Sequence, residues 1–186
     1  MEIYNKTHNS EPGFALIMAL IISSVVLSIG LSMLSITIKQ VDLVATARES
    51  EIAFQAASLA MDCALMTRIR ESTALATTSP TTNLNFDCGD INQPASHSTP
   101  GGADRHQYVA DFDWNNSTGK DLKMVITMFV IGENASNRTY NKNDFSATCN
   151  PNIYCTYIFT EGYNRSQAEI TAGASFSVQR ELTAEF

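Results

Sequence analysis

The chain has 186 residues, of which 44% are hydrophobic, and a formal net charge of −7 at pH 7. This length has room for one globular domain and an accessory segment. Binding to nucleic-acid phosphates needs clustered Lys and Arg, so the acidic balance argues against a nucleic acid as the main partner. Much of the hydrophobic content lies before residue 40, and the remainder has the composition of a soluble domain.

A long apolar segment begins abruptly after a polar stretch. Residues 1–13 are mostly polar and end in Pro12-Gly13, a pair that stops an upstream helix. The 25 residues from Phe14 to Ile38 contain no charge and no proline. At ~1.5 Å per residue they can cross a ~30 Å hydrocarbon core. No cleavage site of the secretory type follows Ile38, so the segment is predicted to be a membrane-spanning helix.

The junction after Gly13 resembles the prepilin signal of type IV pilins and type II secretion pseudopilins. It consists of a short polar leader, a Gly and then Phe-Ala-Leu-Ile at the head of an uncharged helix. In that family a prepilin peptidase cuts after the Gly on the cytoplasmic side, and the new N-terminal residue is usually methylated. The resemblance implies a leader at 1–13, cleavage between Gly13 and Phe14, and N-methylation of Phe14.

Two features depart from the family pattern. The family usually has Glu at the fifth mature position, where this chain has Met18, and its leader is usually basic, whereas this leader has one Lys and two Glu. That Glu is thought to attract the free amine of a neighbouring subunit, and Met18 cannot do so. PilX-like minor pilins and the tip pseudopilin commonly lack the Glu, and the run 53–57 (AFQAA) looks like a PilX-like stretch. The resemblance covers roughly residues 10–66 and implies a minor subunit, with the filament tip as its favoured position.

The apolar helix is predicted to continue beyond the membrane. No Gly or Pro occurs from Lys39 to Leu75, and good helix formers are plentiful. Two apolar faces lie side by side; they are Ile52, Ala56, Leu59, Cys63, Met66 and Ile69, and Ala53, Phe54, Ala57, Ala60, Met61, Ala64 and Leu65. In a pilin one face would pack on the subunit's own sheet and the other on neighbouring helices. A single broad core face, or a membrane-proximal coiled coil of a receptor, is the alternative.

The span itself contains a strip of small residues. Ser24, Ser28, Ser32 and Ser35 recur at intervals of four, four and three, a spacing that lets membrane helices approach closely. Gly30 lies nearby and weakens the helix locally by about 1 kcal/mol relative to Ala. The strip predicts an association surface, with an ordinary anchor helix that contains serines as the alternative.

The C-terminal half is predicted to be a sheet that follows a connecting segment at 76–105. Strand patterns occupy four segments, Tyr108–Trp114, Leu122–Ile131, Tyr154–Thr160 and Ala174–Phe186. One face of such a sheet is apolar and has to be shielded from water, and the amphipathic half of the helix, 39–75, can pack on it. The predicted fold class is α+β and pilin-like, in which a long N-terminal α-helix packs on a C-terminal antiparallel β-sheet of about four strands at 106–186. The first half of that helix, 14–38, spans the membrane.

The four cysteines predict disulfides. They occur at Cys63, Cys88, Cys149 and Cys155 without a C-x-x-C pair, so a zinc ribbon or redox motif is not indicated. Two disulfides outside the cytosol fit better, and we favour Cys149 with Cys155 and Cys63 with Cys88. Four buried free thiols are the alternative.

No constellation for catalysis, a metal or a cofactor is recognisable. The three histidines, His8, His97 and His106, lie apart along the chain. The run from Asp111 to Ser117 resembles the first half of a calcium loop but lacks the Gly and the Glu that such a loop needs at its sixth and twelfth positions. We therefore expect no enzyme activity, no cofactor and no metal.

Together these features predict a minor pilin or pseudopilin whose function is filament assembly. Its expected partners are the prepilin peptidase, other pilin subunits through the N-terminal helix, and the cytoplasmic (inner) membrane, which it would cross once with the C-terminal domain outside the cytoplasm before entering a filament. Nucleic acid is not an expected partner. The alternatives are a single-pass membrane-anchored sensor or ligand-binding protein, and an anchored enzyme.

Overall fold

A computed structural model describes residues 12–75, 83–89, 91–100, 104–115, 121–133, 135, 138–142, 145–150, 152–174 and 177–186. The chain divides into two compact units, Met1–Ala45 and Thr46–Phe186. Most of the predicted leader, 1–11, lies outside the described residues.

Helix α1 extends from Pro12 to Arg70 and contributes to both units. Pro12 stands at its first position, where the N–H that proline lacks would have no partner within the helix. In the first unit every described side chain is exposed. The part of the chain that the structure describes contains one helix, Gly13–Arg70, that is long and apolar enough to cross a membrane.

The second unit, which we call the head, consists of the last part of α1, two short helices and nine strands among the described residues. In chain order these are α2 (Ser72–Leu75), β1 (Asn85–Cys88), β2 (Ile91–Pro94), β3 (Ser96–Ser98), β4 (Arg105–Asn115), β5 (Asp121–Ile131), β6 (Thr139–Lys142), β7 (Phe145–Thr148), β8 (Cys155–Tyr163), α3 (Gln167–Thr171) and β9 (Gln179–Glu185).

The main sheet is antiparallel and has five strands in the order β3-β4-β5-β8-β9. The predicted long helix and antiparallel sheet are therefore present, but the sheet has one strand more than the four expected. The additional strand is β3, whose three residues are too few to show a period. It lies with β1 and β2 in the segment that the sequence indicates as a connection. The predicted turn residues between β4 and β5, 116–120, lie outside the described residues.

The sheet packs on α1 through a set of small residues. Alternate positions of β4 are buried, and Tyr108, Ala110 and Phe112 share one core with Ala56 and Ala60 of α1. On β8 the helix comes so close that a Cβ added to Gly162 would collide with the α1 backbone. Alanine on the helix and glycine on the strand thus allow two backbones to approach closely.

The opposite face of the sheet is also covered in part, although one dry face was expected. A second core cluster joins Phe129 and Ile131 of β5 to Tyr157 and Phe159 of β8, and Tyr140 of β6 packs against it. The reason is visible in β5, where every residue from 126 to 131 is buried, as in strands that are covered on both faces.

Candidate functional site

The residues predicted to be processed lie in the first turns of α1. Gly13 is helical, and the side chains of Phe14 and Met18 are exposed by 65% and 46%. Nothing in this geometry tests cleavage or methylation, which remain predictions. An added Cβ on Gly13 would meet no atom within 4 Å.

The span presents a continuous apolar surface. All its large apolar side chains, from Phe14 to Ile38, are exposed, and apolar surface in water costs roughly 25 cal/mol per Å². The hydroxyl groups of Ser23 and Ser24 donate to the backbone oxygens of Ala19 (2.7 Å) and Ile21 (2.8 Å). Because these hydroxyls have partners within the helix, the serines are compatible with a lipid or a protein environment.

In the head, α1 divides into a buried side and an exposed apolar side. The buried side contains Ala53, Ala56, Ala57, Ala60, Met61, Cys63, Ala64 and Thr67. Leu59, Met66 and Ile69 are exposed by 43%, 66% and 70%, and Phe54 by 46%. The first predicted face is thus split, because Ala56 and Cys63 are buried and Ile52 packs partly against the same core, while the other three members are exposed. We call Leu59, Met66 and Ile69 the outer apolar stripe.

The outer apolar stripe borders a cleft of about 700 Å³ in the head, which we call the head cleft. Across the cleft lie Phe112 and Trp114 of β4 and Met124 of β5, and charged residues form part of its rim. The guanidinium group of Arg70 pairs with the carboxylate of Asp87 at 2.8 Å. The head cleft therefore has apolar walls and a charged rim, an arrangement that suits an apolar or amphipathic partner.

Polar contacts fasten the start of the head's helix to the C-terminal strands. The side-chain amide of Asn164 donates to Glu49 of α1 (2.7 Å), and its oxygen accepts from the backbone N–H of Val178 (2.8 Å). Arg180, which interrupts the apolar pattern of the last strand, donates to the hydroxyl oxygen of Ser50 (2.6 Å). Asn164 begins an Asn-x-Ser sequence that could accept a glycan, yet it is fully buried. Sequence reasoning did not find the contacts of Glu49 and Ser50, because their partners lie more than a hundred residues away in the chain.

The structure contains the favoured disulfide between Cys149 and Cys155, whose Cα atoms are 6.0 Å apart. The backbone N–H of Cys149 donates to the carbonyl oxygen of Arg138 (3.0 Å), and the Arg138 guanidinium donates to the carbonyl oxygens of Gly132 (2.6 Å) and Ile153. This network holds the loop that the disulfide closes.

The structure describes the side chain of only one of the two cysteines in the second predicted disulfide. Cys63 is disulfide-bonded. The side chain of Cys88 lies outside the described residues, so the pairing of these two cysteines stays a prediction. Free thiols are absent from the part of the chain that the structure describes.

The carboxylates of the half calcium loop have structural partners. Asp111 pairs with the ammonium group of Lys123 at 3.2 Å, and Asp113 accepts from the backbone N–H of Gln167 at 2.8 Å. Asn116 and Ser117 lie outside the described residues. Across the described segments no group of three or more His, Cys, Asp or Glu is placed to hold a metal ion.

Two histidines that are separate in the sequence come together in the head. The Nε2 atom of His97 on β3 lies 2.9 Å from the Nδ1 atom of His106 on β4, and the ring centroids are 5.2 Å apart, so the two rings meet edge to edge. The sequence offered no signal for this pair, since β3 is too short to be predicted.

Comparison of the chain with family models, with curated proteins and with solved structures finds no match.

Proposed function

We propose that the chain is a minor pilin or pseudopilin, a structural subunit that takes part in the assembly or priming of a type IV pilus or type II secretion-like filament. Its mechanism is association through α1. The span first holds the protein in the inner membrane with the head on the extracytoplasmic side. Removal of the leader after Gly13 then allows the helix to enter the filament.

The observation that carries this proposal is the outer apolar stripe. A simple anchor needs apolar surface only where it meets lipid. Leu59, Met66 and Ile69 belong to a segment that also carries Asp62 and Arg68, and such charges are costly within hydrocarbon. Large exposed apolar side chains outside a membrane mark a surface that another protein covers. Neighbouring helices of a filament are such a cover.

Met18 supports a minor role within the filament. It stands where the family usually has a carboxylate, and a thioether cannot neutralise the amine of a neighbouring subunit. A subunit at the tip has no neighbour above it whose amine needs neutralising. We therefore propose the tip as its position, where it would act in priming assembly.

Mass spectrometry of the protein extracted from membranes tests the proposal. We expect a mature chain that begins at Phe14 and carries one N-methyl group. As a matched pair, Gly13→Val should retain the leader, whereas the nearby leader variant His8→Ala should still be cut. An intact Met1 leader in the unaltered protein would overturn the proposal.

A second test locates the mature protein. We expect to detect it in sheared extracellular filaments if the filament is a pilus, and in a periplasmic filament if it is a pseudopilus. Immunogold labelling should mark filament ends. Regular labelling along the shaft would contradict the tip position.

The head cleft favours a second candidate, a single-pass membrane-anchored protein whose head binds a ligand. A volume of about 700 Å³ is sufficient for a small apolar molecule. This candidate predicts an uncut N-terminus and no filament association, so the same mass spectrometry separates the two.

A further inference from the structure

A second cavity of the head, with a volume of about 460 Å³, is lined by residues of β4, β5 and β6, and we call it the β6 cavity. Arg105 and Gln107 are two residues apart on β4, and side chains at this spacing leave a strand on the same face. Their partners on β5 are Ile131 and Phe129, which belong to the second core cluster. Tyr140 of β6 packs against Phe129 with ring centroids 4.0 Å apart. The β6 cavity therefore combines aromatic rings with a guanidinium group and a side-chain amide.

Arg105 gives the β6 cavity a positive charge. Its guanidinium donates from Nη2 to the carbonyl oxygen of Thr139, and the group has several further N–H donors. Within the described part of the chain no carboxylate forms an ion pair with Arg105, and no Asp or Glu is among the residues that line the cavity. The whole chain has 19 acidic residues against 12 basic ones, so the cavity differs in charge from the rest of the protein. A half-buried cation is incompletely solvated, and an anionic ligand that pairs with it is therefore favoured.

Two neutral donors stand beside this charge. Burial raises the pKa of Tyr140 to about 12, while the nearby Arg105 cation lowers it and the Glu181 carboxylate of β9 raises it. The phenol therefore keeps its proton at neutral pH and can donate a hydrogen bond to an anion. Gln107 is the second donor, because its Oε1 atom accepts from the hydroxyl group of Ser98 (3.3 Å) and leaves its NH2 group for a ligand.

These groups suit a carboxylate that is attached to a ring. The planar guanidinium matches a carboxylate in geometry and forms paired hydrogen bonds with it. A doubly charged anion such as phosphate is less suitable, because Arg105 is the one Lys or Arg among the described residues that line the cavity, and the chain's net charge of −7 repels such an anion more strongly. We propose that the β6 cavity binds a small organic carboxylate with a ring, whose carboxylate pairs with Arg105 and whose ring contacts Tyr140. The volume of the cavity lies within the ~300–1,000 Å³ that is usual for small-molecule sites.

Titration of the full chain with benzoate, followed by ligand-observed NMR, tests the proposal. The chain is held in a nonionic detergent, and micelles without protein supply the blank. We expect one benzoate per chain with Kd on the order of 1 mM. Two matched probes each lack one element, since benzamide has the ring without the charge and acetate has the charge without the ring. Each should bind at least ~10-fold more weakly than benzoate, and an equal concentration of inorganic phosphate should leave benzoate bound.

Two variants locate the ligand. Arg105→Gln should weaken benzoate binding at least ~10-fold, because it removes the charge that pairs with the carboxylate. Arg48→Gln makes the same change at an exposed position of α1 that does not line the cavity, and it should bind benzoate as the unaltered chain does.

Four outcomes would each overturn the proposal. They are the absence of saturable benzoate binding up to about 10 mM, equal binding of benzoate and benzamide, displacement of benzoate by an equal concentration of phosphate, and unchanged binding by Arg105→Gln. The comparison of probes uses the unaltered chain, so it decides the question even where Arg105→Gln does not fold. None of these outcomes depends on whether the protein enters a filament.

Discussion

The hydroxyl group of Thr160 on β8 donates a 3.0 Å hydrogen bond to the backbone carbonyl oxygen of Ala57 on α1. A strand side chain can reach a helix backbone only where the two elements are very close. Two residues further along β8, Gly162 lies against the backbone of Ala53 and Ala57. The absence of a side chain at Gly162 therefore sets how closely the helix packs on the sheet.

We predict that Gly162→Ala destabilises the head. The new methyl group would collide with the α1 backbone, and since backbone atoms cannot move aside as a flexible side chain can, helix and strand must separate. Overpacking of this kind costs typically ~1–3 kcal/mol, and this site belongs at the upper end. Thermal unfolding of the chain in detergent, followed by the fluorescence of its single tryptophan, Trp114, measures the loss.

Gly132→Ala is the matched control. A Cβ at Gly132 meets the nearest atoms of Asp104 at 3.4 Å, an ordinary contact, so the unfolding midpoint should change little. If both substitutions lower the unfolding midpoint equally, close packing of Gly162 against α1 is not the reason why a side chain is unfavourable there.

We predict that Asn164→Asp is strongly destabilising near neutral pH. The buried Asn164 amide donates to the Glu49 carboxylate, and an aspartate would place a second carboxylate at that 2.7 Å contact. Breaking a buried polar pair in this way costs on the order of 3 kcal/mol. Urea denaturation should give a lower midpoint for this variant.

Glu49→Gln should rescue that variant. It restores one donor between the two side chains and removes one charge, so the double variant should be more stable than Asn164→Asp alone. A double-mutant cycle measures this coupling, and a coupling near zero would mean that the contact between α1 and Asn164 does not act as a pair.

We predict that Met66→Lys and Ile69→Lys abolish entry into filaments without unfolding the head. Both side chains are at least 66% exposed, so little core packing is lost. A charge in the outer apolar stripe would have to be desolvated when a neighbouring helix covers it. Gln179→Lys, at an exposed position of β9, makes the same charge change away from the helix and should assemble normally. Quantifying the protein in sheared filaments compares the three, and normal assembly of the stripe variants would remove the stripe from the interface.

We predict that the head loses stability in alkaline solution. Burial raises the pKa of Tyr108 and of Tyr163 from 10.0 to about 12, because the charged phenolate is poorly solvated inside the protein. The folded state therefore holds these protons more tightly than the unfolded state. Their contribution to stability is complete below pH 10 and is lost as pH rises towards about 12. Tyr108→Phe should make the unfolding midpoint fall less steeply over this range, and an unchanged slope would contradict the assignment to Tyr108.

Much of the secondary structure follows from local patterns. The uncharged run from Phe14 to Ile38 predicts a helix of membrane length, since its length and apolarity can be read from the sequence without any tertiary contact. The alternation around Tyr108 and the apolar run from Leu122 predict β4 and β5, because buried strands leave a period of two or a continuous apolar segment. In contrast, β3 and its neighbours are too short to leave such a pattern.

The sequence by itself determined a long apolar helix followed by a helix-covered antiparallel sheet, and its cysteine spacing favoured the disulfide between Cys149 and Cys155. Only the tertiary structure decided which side of α1 is buried. Leu59 and Ala56 are both apolar, so hydrophobicity alone does not distinguish the two sides. The helix backbone lies so close to Gly162 that only small residues fit on the side of α1 that faces the sheet. It also brought His97 beside His106 and Asn164 beside Glu49. Such contacts depend on strand register and on the path of the backbone, which no local window of sequence contains.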